Sequence, residues 1–204
     1  MKRSKAETAE TRKRIVEMAS RVFMEHGRSA TGISEIMKKA GLTQGGFYRH
    51  FESKEQLIAE ASEAAYEQIF AVAEKAVAGK DARQALDTIV QSYLYQRQMT
   101  DPTCLCPLAN LGSELPHADD QVKAVVNVGH RRMVTYLGAL IQQLGIANYM
   151  AVADAAFSTM VGAVTISRIA LTGMSERAVL ENAYDSINLL LASAPRTSVP
   201  ASVI

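Results

Sequence analysis

Apolar residues recur at helical spacing along nearly the whole chain, and this periodicity narrows the fold more than any other feature. Between residues 15 and 23 they follow the i, i+3, i+4, i+7 pattern of one helix face, and Gly27 stands where a helix would end. Similar faces return at intervals up to residue 191. With 48% hydrophobic residues in 204, the chain has enough apolar side chains to bury one or two cores. The sequence therefore predicts an all-α fold.

Two short predicted helices follow the first one. Thr31 can begin the earlier of the two, Gly41 ends it, and Thr43 is a good N-cap for the later one. Phe47 and Phe51 lie four residues apart, so they point the same way into a core. A helix, a turn containing glycine and a second helix form a helix-turn-helix motif, whose second helix enters the DNA major groove.

Gly45 and Gly46 fall in the first turn of this second helix, where each glycine costs roughly 1 kcal/mol relative to alanine. A helix gains nothing from two such residues, so we expect them to let the backbone and Gln44 approach a groove floor. A glutamine amide can bond adenine N6 and N7 together. Donors for phosphates or for a further base are offered by Tyr48, Arg49 and His50.

A candidate phosphate site follows at the start of the next helix. Ser53 and Gln56 have the spacing of a capping box, which places Lys54 in the first helical turn. The helix dipole disfavours a cation there, and a bound phosphate would reverse that penalty. Residues 1–60 hold twelve Lys and Arg against eight Asp and Glu, and basic residues within 2–5 are predicted to follow the duplex as a flexible arm. The basic charge therefore lies where a DNA-binding module is expected.

These residues resemble the TetR family of transcriptional regulators, in which an N-terminal helix-turn-helix precedes a helical ligand-binding and dimerisation domain. The resemblance runs from about Thr11 to Leu57 and is carried by TGISEIMKKAGLTQGGFYRHFESKEQL, with Gly32 and Met37 departing from the usual residues. It implies binding to double-stranded DNA at a palindromic operator. By position it implies phosphate contacts from Thr31, Tyr48, His50 and Lys54, and base contacts from Gln44, Gly45, Gly46 and Arg49. We also expect Thr43 to lie among the DNA-binding residues.

The remainder of the chain is predicted as long helices. The first, from Ser53 to about Ala78, would span roughly 36 Å and connect the head to the rest, so that a small tilt would move the recognition helix. Further helices are predicted from about Ala82 to Met99, Asp119 to Leu144, Ala151 to Leu171 and Ser175 to Ser193. We expect an arm and DNA-binding head at 1–52, a helical effector-binding and dimerisation domain at 53–193 with 53–78 as connecting helix, and a mobile tail at 194–204.

The segment from Ala151 to Leu171 is apolar almost all round, and its length would allow a membrane span. A charge near each end and several hydroxyl side chains favour instead a helix buried on two sides, so we expect no membrane partner. With no apolar run at its start and two cysteines, the chain is expected to be cytoplasmic. In the resembled family the last two helices pair with their twofold mates, which implies a homodimer. The predicted contacts are Ala155, Thr159, Gly162, Ile187, Leu190 and Leu191.

A small hydrophobic or electrophilic effector is the expected ligand. The helices after residue 80 can enclose a mainly apolar pocket, whose predicted lining includes Tyr93, His130, Met133 and Phe157. Cys106 precedes Pro107, which would place its thiol near a helix N-terminus, where a thiolate is favoured. The stretch CLCPLANLGSEL, which also contains Cys104, resembles a TetR branch with members that respond to electrophiles and oxidants through a cysteine at the position of Cys106.

No motif predicts an enzyme: phosphate-binding glycine loops, Gly-x-Ser-x-Gly and His-Glu-x-x-His are all missing from the sequence. Cys-x-Cys with His117 or His130 lacks the paired spacing of zinc sites, so neither a metal nor a cofactor is expected. We predict a repressor that a ligand or cysteine modification releases from its operator. The alternatives are a thiol oxidoreductase using Cys104 and Cys106, and an architectural dimer that binds DNA without regard to sequence.

Overall fold

A computed structural model describes residues 5–95, 105–169 and 176–197, and within these ranges the ordered elements are helices. They are α1 Lys5–His26, α2 Ile33–Lys39, α3 Lys54–Val77, α4 Ala82–Leu94, α5 Pro107–Leu111, α6 Asp120–Gln143, α7 Tyr149–Ser167 and α8 Glu176–Ser193. Two 3-10 helices span Gln44–Arg49 and Leu115–His117. The described ranges contain no strand and one isolated bridge, between Ile146 and Arg196. The all-α prediction is confirmed.

The chain divides into two compact units, each with its own packing. The first unit is Met1–Val72 with Arg97–His130, and the second is Ala73–Gln96 with Arg131–Ile204. Helices α3 and α6 therefore contribute residues to both units. The boundary that we expected at residue 52 separates DNA binding from effector binding, whereas these two units are separated by their packing. The expected boundary therefore stays a prediction.

One hydrophobic core joins the helix-turn-helix to the segment that follows α4. Helix α1 packs on α2 and on α5. Leu105, Leu111 and Leu115 are buried in the same core as Phe23 and Phe47. Apolar residues between 105 and 126 thus belong to the same core as the helix-turn-helix, which we call the head, although they lie far from it in sequence.

In the second unit, α7 packs along α8, and both helices pack on α4. The buried face of α7 is Val152, Ala153, Ala156, Phe157, Met160, Ala163, Val164 and Ser167, and that of α8 is Leu180, Ala183, Ile187 and Leu191. Among the helices that the structure describes, α7 has the length and composition of a membrane span, and 44% of its most apolar 18 residues are buried. Core helices of soluble proteins pass the same test, so this composition is weak evidence for a membrane span.

Three predicted segments differ from the structure at their ends. Lys5 is the first residue of α1 rather than part of an arm, and residues 1–4 lie outside the described ranges. Helix α4 ends at Leu94, and its predicted end at Met99 also lies outside the described ranges. In the expected mobile tail, Pro195 and Thr197 exchange backbone hydrogen bonds of 2.8 Å with residues 145–147. Residues 198–204 are not described.

Candidate nucleic-acid interface

A tight turn sets the geometry of the helix-turn-helix. Helix α2 ends at Lys39, and Gly41 follows with φ +72°, a left-handed conformation that residues with a Cβ rarely adopt. The N–H of Leu42 donates to the carbonyl of Met37 at 2.8 Å and closes the helix end. The chain then enters the second element through extended Thr43.

The recognition element Gln44–Arg49 is the predicted short helix, and it is a 3-10 helix. An α-helix of six residues that include two glycines would be unstable, and the Thr43 side chain makes no capping hydrogen bond that would support one. The first backbone bond instead runs from Gly46 N–H to the Thr43 carbonyl at 3.0 Å. Phe47 and Phe51 are buried with their rings stacked 5.4 Å apart, which confirms that both point into the core.

The outer side of this element is exposed, and we call Thr43, Gln44, Gly45, Tyr48 and Arg49 the recognition face. Tyr48 leaves 72% of its surface open. Apart from its chain neighbours and the backbone of its own turn, a Cβ added at Gly45 would meet no described atom within 4 Å, and one at the neighbouring Gly46 would make only an ordinary contact, 3.6 Å from the Met37 methyl group. The chain's own packing therefore does not require these two glycines.

Three predicted phosphate contacts lie off the recognition face. Thr31 is buried and its hydroxyl donates to the Gly27 carbonyl at 2.8 Å, so its side chain supports the end of α1 and is not placed to reach a phosphate. His50 is half-buried. Lys54 is half-buried as well, and its ammonium donates to the Arg28 carbonyl at 2.7 Å.

Arg12 fastens the end of the recognition element to α1 and α3, a role that the sequence did not indicate. Its Nε donates to the His50 carbonyl at 3.2 Å, and its guanidinium lies 4.6 Å from the centre of the Phe51 ring. The same guanidinium forms a bidentate ion pair with Glu60, with one N–O distance of 2.6 Å. These contacts join residues 38 and 48 positions apart in sequence.

The predicted capping box at the start of α3 is present. The N–H of Gln56 donates to the Ser53 hydroxyl at 3.0 Å. The Gln56 side-chain carbonyl accepts in return from the N–H of Glu52 at 2.7 Å, one residue earlier than in the usual motif. This arrangement fixes the start of α3 directly after the recognition element.

Cys106 lies at the N-terminal end of α5 as predicted, but its side chain is completely buried. The Tyr66 hydroxyl is buried beside it, and burial together with the neighbouring Cys106 raises the pKa of Tyr66 well above its usual range. The Tyr66 ring lies against the backbone of Gly129, where an added Cβ would overlap the ring. Cys106 therefore lies inside the first unit rather than on an accessible surface.

The predicted effector residues are divided between the two units. Tyr93, Met133 and Phe157 are buried in the second unit, where the Tyr93 and Phe157 rings meet edge to face at 5.7 Å. Cys106 and the half-buried His130 belong to the first unit, and Cys104 lies outside the described residues. The first unit also has a groove of about 720 Å³ between α1 and α3, which is lined largely by charged side chains of both signs.

Some of the predicted dimer contacts are available on the surface and others are not. Ala155 is exposed and Gly162 is half-buried with open space beside it. Thr159 and Leu190 are also half-buried. Ile187 and Leu191 of α8, which packs on α7 and α4, are buried within the chain, so they are not free to contact a partner.

Two further exposed apolar residues of α7 and α8 were not predicted from the sequence. Ile166 of α7 is 46% exposed, and Leu189 of α8 is 70% exposed. Ile166 continues the spacing of Ala155, Thr159 and Gly162 by one helical turn, so that spacing would have found it. We call Ala155, Thr159, Gly162, Ile166 and Leu189 the α7/α8 face.

Known proteins match the head in sequence and the whole chain in fold. The family model "Bacterial regulatory proteins, tetR family" matches residues 15–61. The transcriptional repressor BepR of Brucella suis is 48% identical over 54 residues, which are 26% of each chain. The chain thus spans about a quarter of the length of the first curated relatives that it matches.

The structural neighbours cover far more of the chain. A TetR transcriptional regulator from Chloroflexus aurantiacus superposes with a TM-score of 0.78 over 95% of this chain and 100% of its own, at 27% identity. The reduced form of E. coli NemR shares the fold with a TM-score of 0.75 over 93% and 100% of the two chains, at 20% identity. The geometry of the head and the family match show that residues 15–61 are a DNA-binding domain of the tetR family of bacterial regulatory proteins, and the chain as a whole shares the fold of a TetR regulator.

Proposed function

We propose that the protein is a transcriptional repressor that binds a palindromic operator as a homodimer. The observation that carries this proposal is the recognition face, where an exposed amide, phenol and guanidinium surround glycines that the chain's own packing does not need. The named repressor BepR, which matches the head, supports the same function. Two heads of a symmetric dimer would place their recognition elements in successive major grooves, about 34 Å apart.

Within this proposal the exposed residues divide between base and phosphate contacts. Gln44 lies at the start of the recognition element, where its amide would read a base edge. Tyr48 projects from the following turn and would bind a phosphate that fixes the register, and the exposed Arg49 beside it would contact a further base. The buried Phe47 and Phe51 and the contacts of Arg12 hold these side chains on a rigid base.

Replacing Gln44 with alanine tests the assignment of a base-reading residue. We expect discrimination at one base step of the operator to fall by about 1–3 kcal/mol, because a bidentate amide contact is lost. Tyr48→Phe should instead weaken binding to every sequence alike, since it removes a phosphate donor. Fluorescence anisotropy with operator and single-base variants measures both effects.

The control for this experiment is Gln121→Ala, which removes an exposed glutamine of α6 outside the recognition face. It should bind the operator and its variants as the wild type does. Equal losses on operator and random DNA for Gln44→Ala would remove Gln44 from the base-reading residues.

We further propose that modification of Cys106 releases the operator. The thiol is buried one residue from Leu105, which packs in the core that also holds α1, α2 and the recognition element. Addition of the thiol across an activated C=C bond forms a C–S bond and transfers the thiol proton to the neighbouring carbon. The added atoms do not fit this packed site, so the segment has to leave the core of the head. The fold shared with NemR, which was solved in a form described as reduced, agrees with this proposal.

Cys106→Ser should make operator binding insensitive to N-ethylmaleimide, whereas the untreated variant should bind like the wild type. The Cys104→Ser variant keeps the buried thiol and should still release DNA on treatment. Anisotropy before and after treatment gives the affinities, and mass spectrometry identifies the modified cysteine. Release that persists in Cys106→Ser would overturn the cysteine switch and direct attention to a non-covalent ligand near Tyr93, Met133 and Phe157.

The two alternative functions make different predictions in the same experiments. A thiol oxidoreductase would turn over a dithiol or peroxide through its cysteines and would select no duplex. An architectural dimer would bind operator and random DNA with equal affinity. The proposed repressor requires selective binding without turnover.

A further inference from the structure

The turn between α1 and α2 forms an anion-binding site that a carboxylate of the same chain occupies. Gly27 adopts φ +84°, and the next two backbone N–H groups, of Arg28 and Ser29, both point at Glu114. They donate to its two carboxylate oxygens at 3.0 and 2.8 Å, and the Ser29 hydroxyl donates to one of these oxygens as well. Successive N–H groups after a left-handed residue form the concave nest that binds anions in other proteins.

The charges around this site favour an ionised occupant. Burial raises the pKa of Glu114, but the hydrogen bonds from Ser29 and Arg28 and the Arg28 charge outweigh it, and the net shift is downward. The stabilisation that the carboxylate provides is therefore complete above its ordinary pKa and is lost as the pH falls through the lowered pKa. The Arg28 guanidinium also donates to the Glu114 carbonyl at 3.4 Å and to Glu55 at 3.0 Å.

Glu114 connects two parts of the first unit that are 85 positions apart in sequence. It lies three residues beyond α5 and directly before Leu115, in the segment that begins at Leu105 and packs in the core of the head. The turn that it binds leads into α2, and the end of α2 leads into the recognition element. Gly27 leaves room for the contact, since an added Cβ would lie 2.6 Å from a Glu114 carboxylate oxygen.

We propose that Glu114 is a positioning residue for DNA binding, whose carboxylate fills the anion site of the α1–α2 turn and so fixes the orientation of the helix-turn-helix. The inference rests on the proposed DNA binding and does not depend on the reactivity of Cys106. The Glu114 carboxylate binds Arg28 and Ser29 and carries the same sign of charge as a phosphate, so its removal should change operator affinity without removing a phosphate contact.

An emptied anion site can be refilled from solution, and this distinguishes positioning from simple packing. Glu114→Ala should weaken operator binding about fivefold or more at neutral pH in sodium chloride. Replacing the chloride with acetate at equal ionic strength should restore much of the affinity, because acetate supplies the missing carboxylate. The melting temperature of the variant should also be higher in acetate than in chloride, because bound acetate stabilises the folded protein. The wild type should bind the operator equally in both salts, since its site is already filled.

Asp120→Ala is the matched control, because it removes one carboxylate from a fully exposed side chain nearby in sequence. It should bind like the wild type and show no response to acetate. Unchanged affinity of Glu114→Ala, or a loss that acetate does not restore, would overturn the proposal.

Glu114→Gln provides a second test that does not depend on folding of the alanine variant. This variant keeps the size of the side chain and removes its charge. It should weaken operator binding because the anion site loses its carboxylate, and it should leave the salt dependence of log Kd unchanged because no phosphate contact is lost. Wild-type affinity of Glu114→Gln would also contradict the proposal. A wild type that selects no duplex would instead contradict the proposed function, and the acetate response of the melting temperature would still report on the anion site.

Discussion

Replacing Ile166 with glutamate is expected to convert the protein to a monomer and to weaken operator binding by at least about a hundredfold. Ile166 lies on the α7/α8 face beside Gly162 and is 46% exposed in the single chain. A glutamate at this position would be buried with its charge in the proposed symmetric interface, which is costly for a carboxylate. A monomer binds one half-site at a time, so the affinity that a dimer gains by binding both half-sites together is lost.

Sedimentation measures the oligomeric state of this variant, and anisotropy measures its affinity for the operator and for a half-site. Because the side chain is exposed in the chain itself, the free energy of unfolding of the monomer should change by less than about 0.5 kcal/mol. The control is Val128→Glu, which places the same charge at a residue of α6 that is 56% exposed. A dimeric Ile166→Glu variant with wild-type affinity would rule out the α7/α8 face as the interface.

The second large effect is expected from Gly45→Ala, which should stabilise the protein while weakening its binding to DNA. Alanine favours helical backbone over glycine by up to about 1 kcal/mol, and the added Cβ meets no atom of the chain. At the operator, the same methyl group would stand between the recognition element and the groove floor. Loss of the adjacent base contact should reduce affinity about tenfold or more.

Urea unfolding and operator anisotropy, measured on the same preparations of wild type and Gly45→Ala, test this opposition directly. An increase in stability combined with a decrease in affinity would assign the glycine to DNA contact. A variant that binds as tightly as the wild type would show that the groove floor does not approach Gly45.

The long helices were predictable because the apolar residues of an amphipathic helix recur at helical spacing and form the face that is buried. The apolar spacing of Ile58, Ala61 and Ala65 is matched by complete burial, and α3 ends at Val77, one residue before the predicted end. On α8 the buried residues Leu180, Ala183, Ile187 and Leu191 also follow helical spacing. Spacing does not tell which apolar residues pack inside the chain and which face a partner, and Leu189 is exposed.

The contacts that position the site were not predictable from local pattern. Arg12 reaches the His50 carbonyl, and Glu114 reaches Ser29, across long stretches of chain that carry no spacing signal. The burial of Cys106 was hidden for the same reason, since the proline after it indicates a helix start but not the Tyr66 ring beside it. Tertiary packing decides these features, whereas sequence periodicity decides the helices.

Selection of duplexes from a random pool by the wild-type protein, followed by anisotropy with the enriched sequence, tests the central claim most directly. The proposed repressor should enrich a palindrome whose half-site centres lie one helical turn apart, about 10 base pairs. It should bind this palindrome at least about a thousandfold more tightly than random DNA at physiological salt. Equal affinity for selected and random duplexes would contradict the assignment of the recognition face and with it the proposed function.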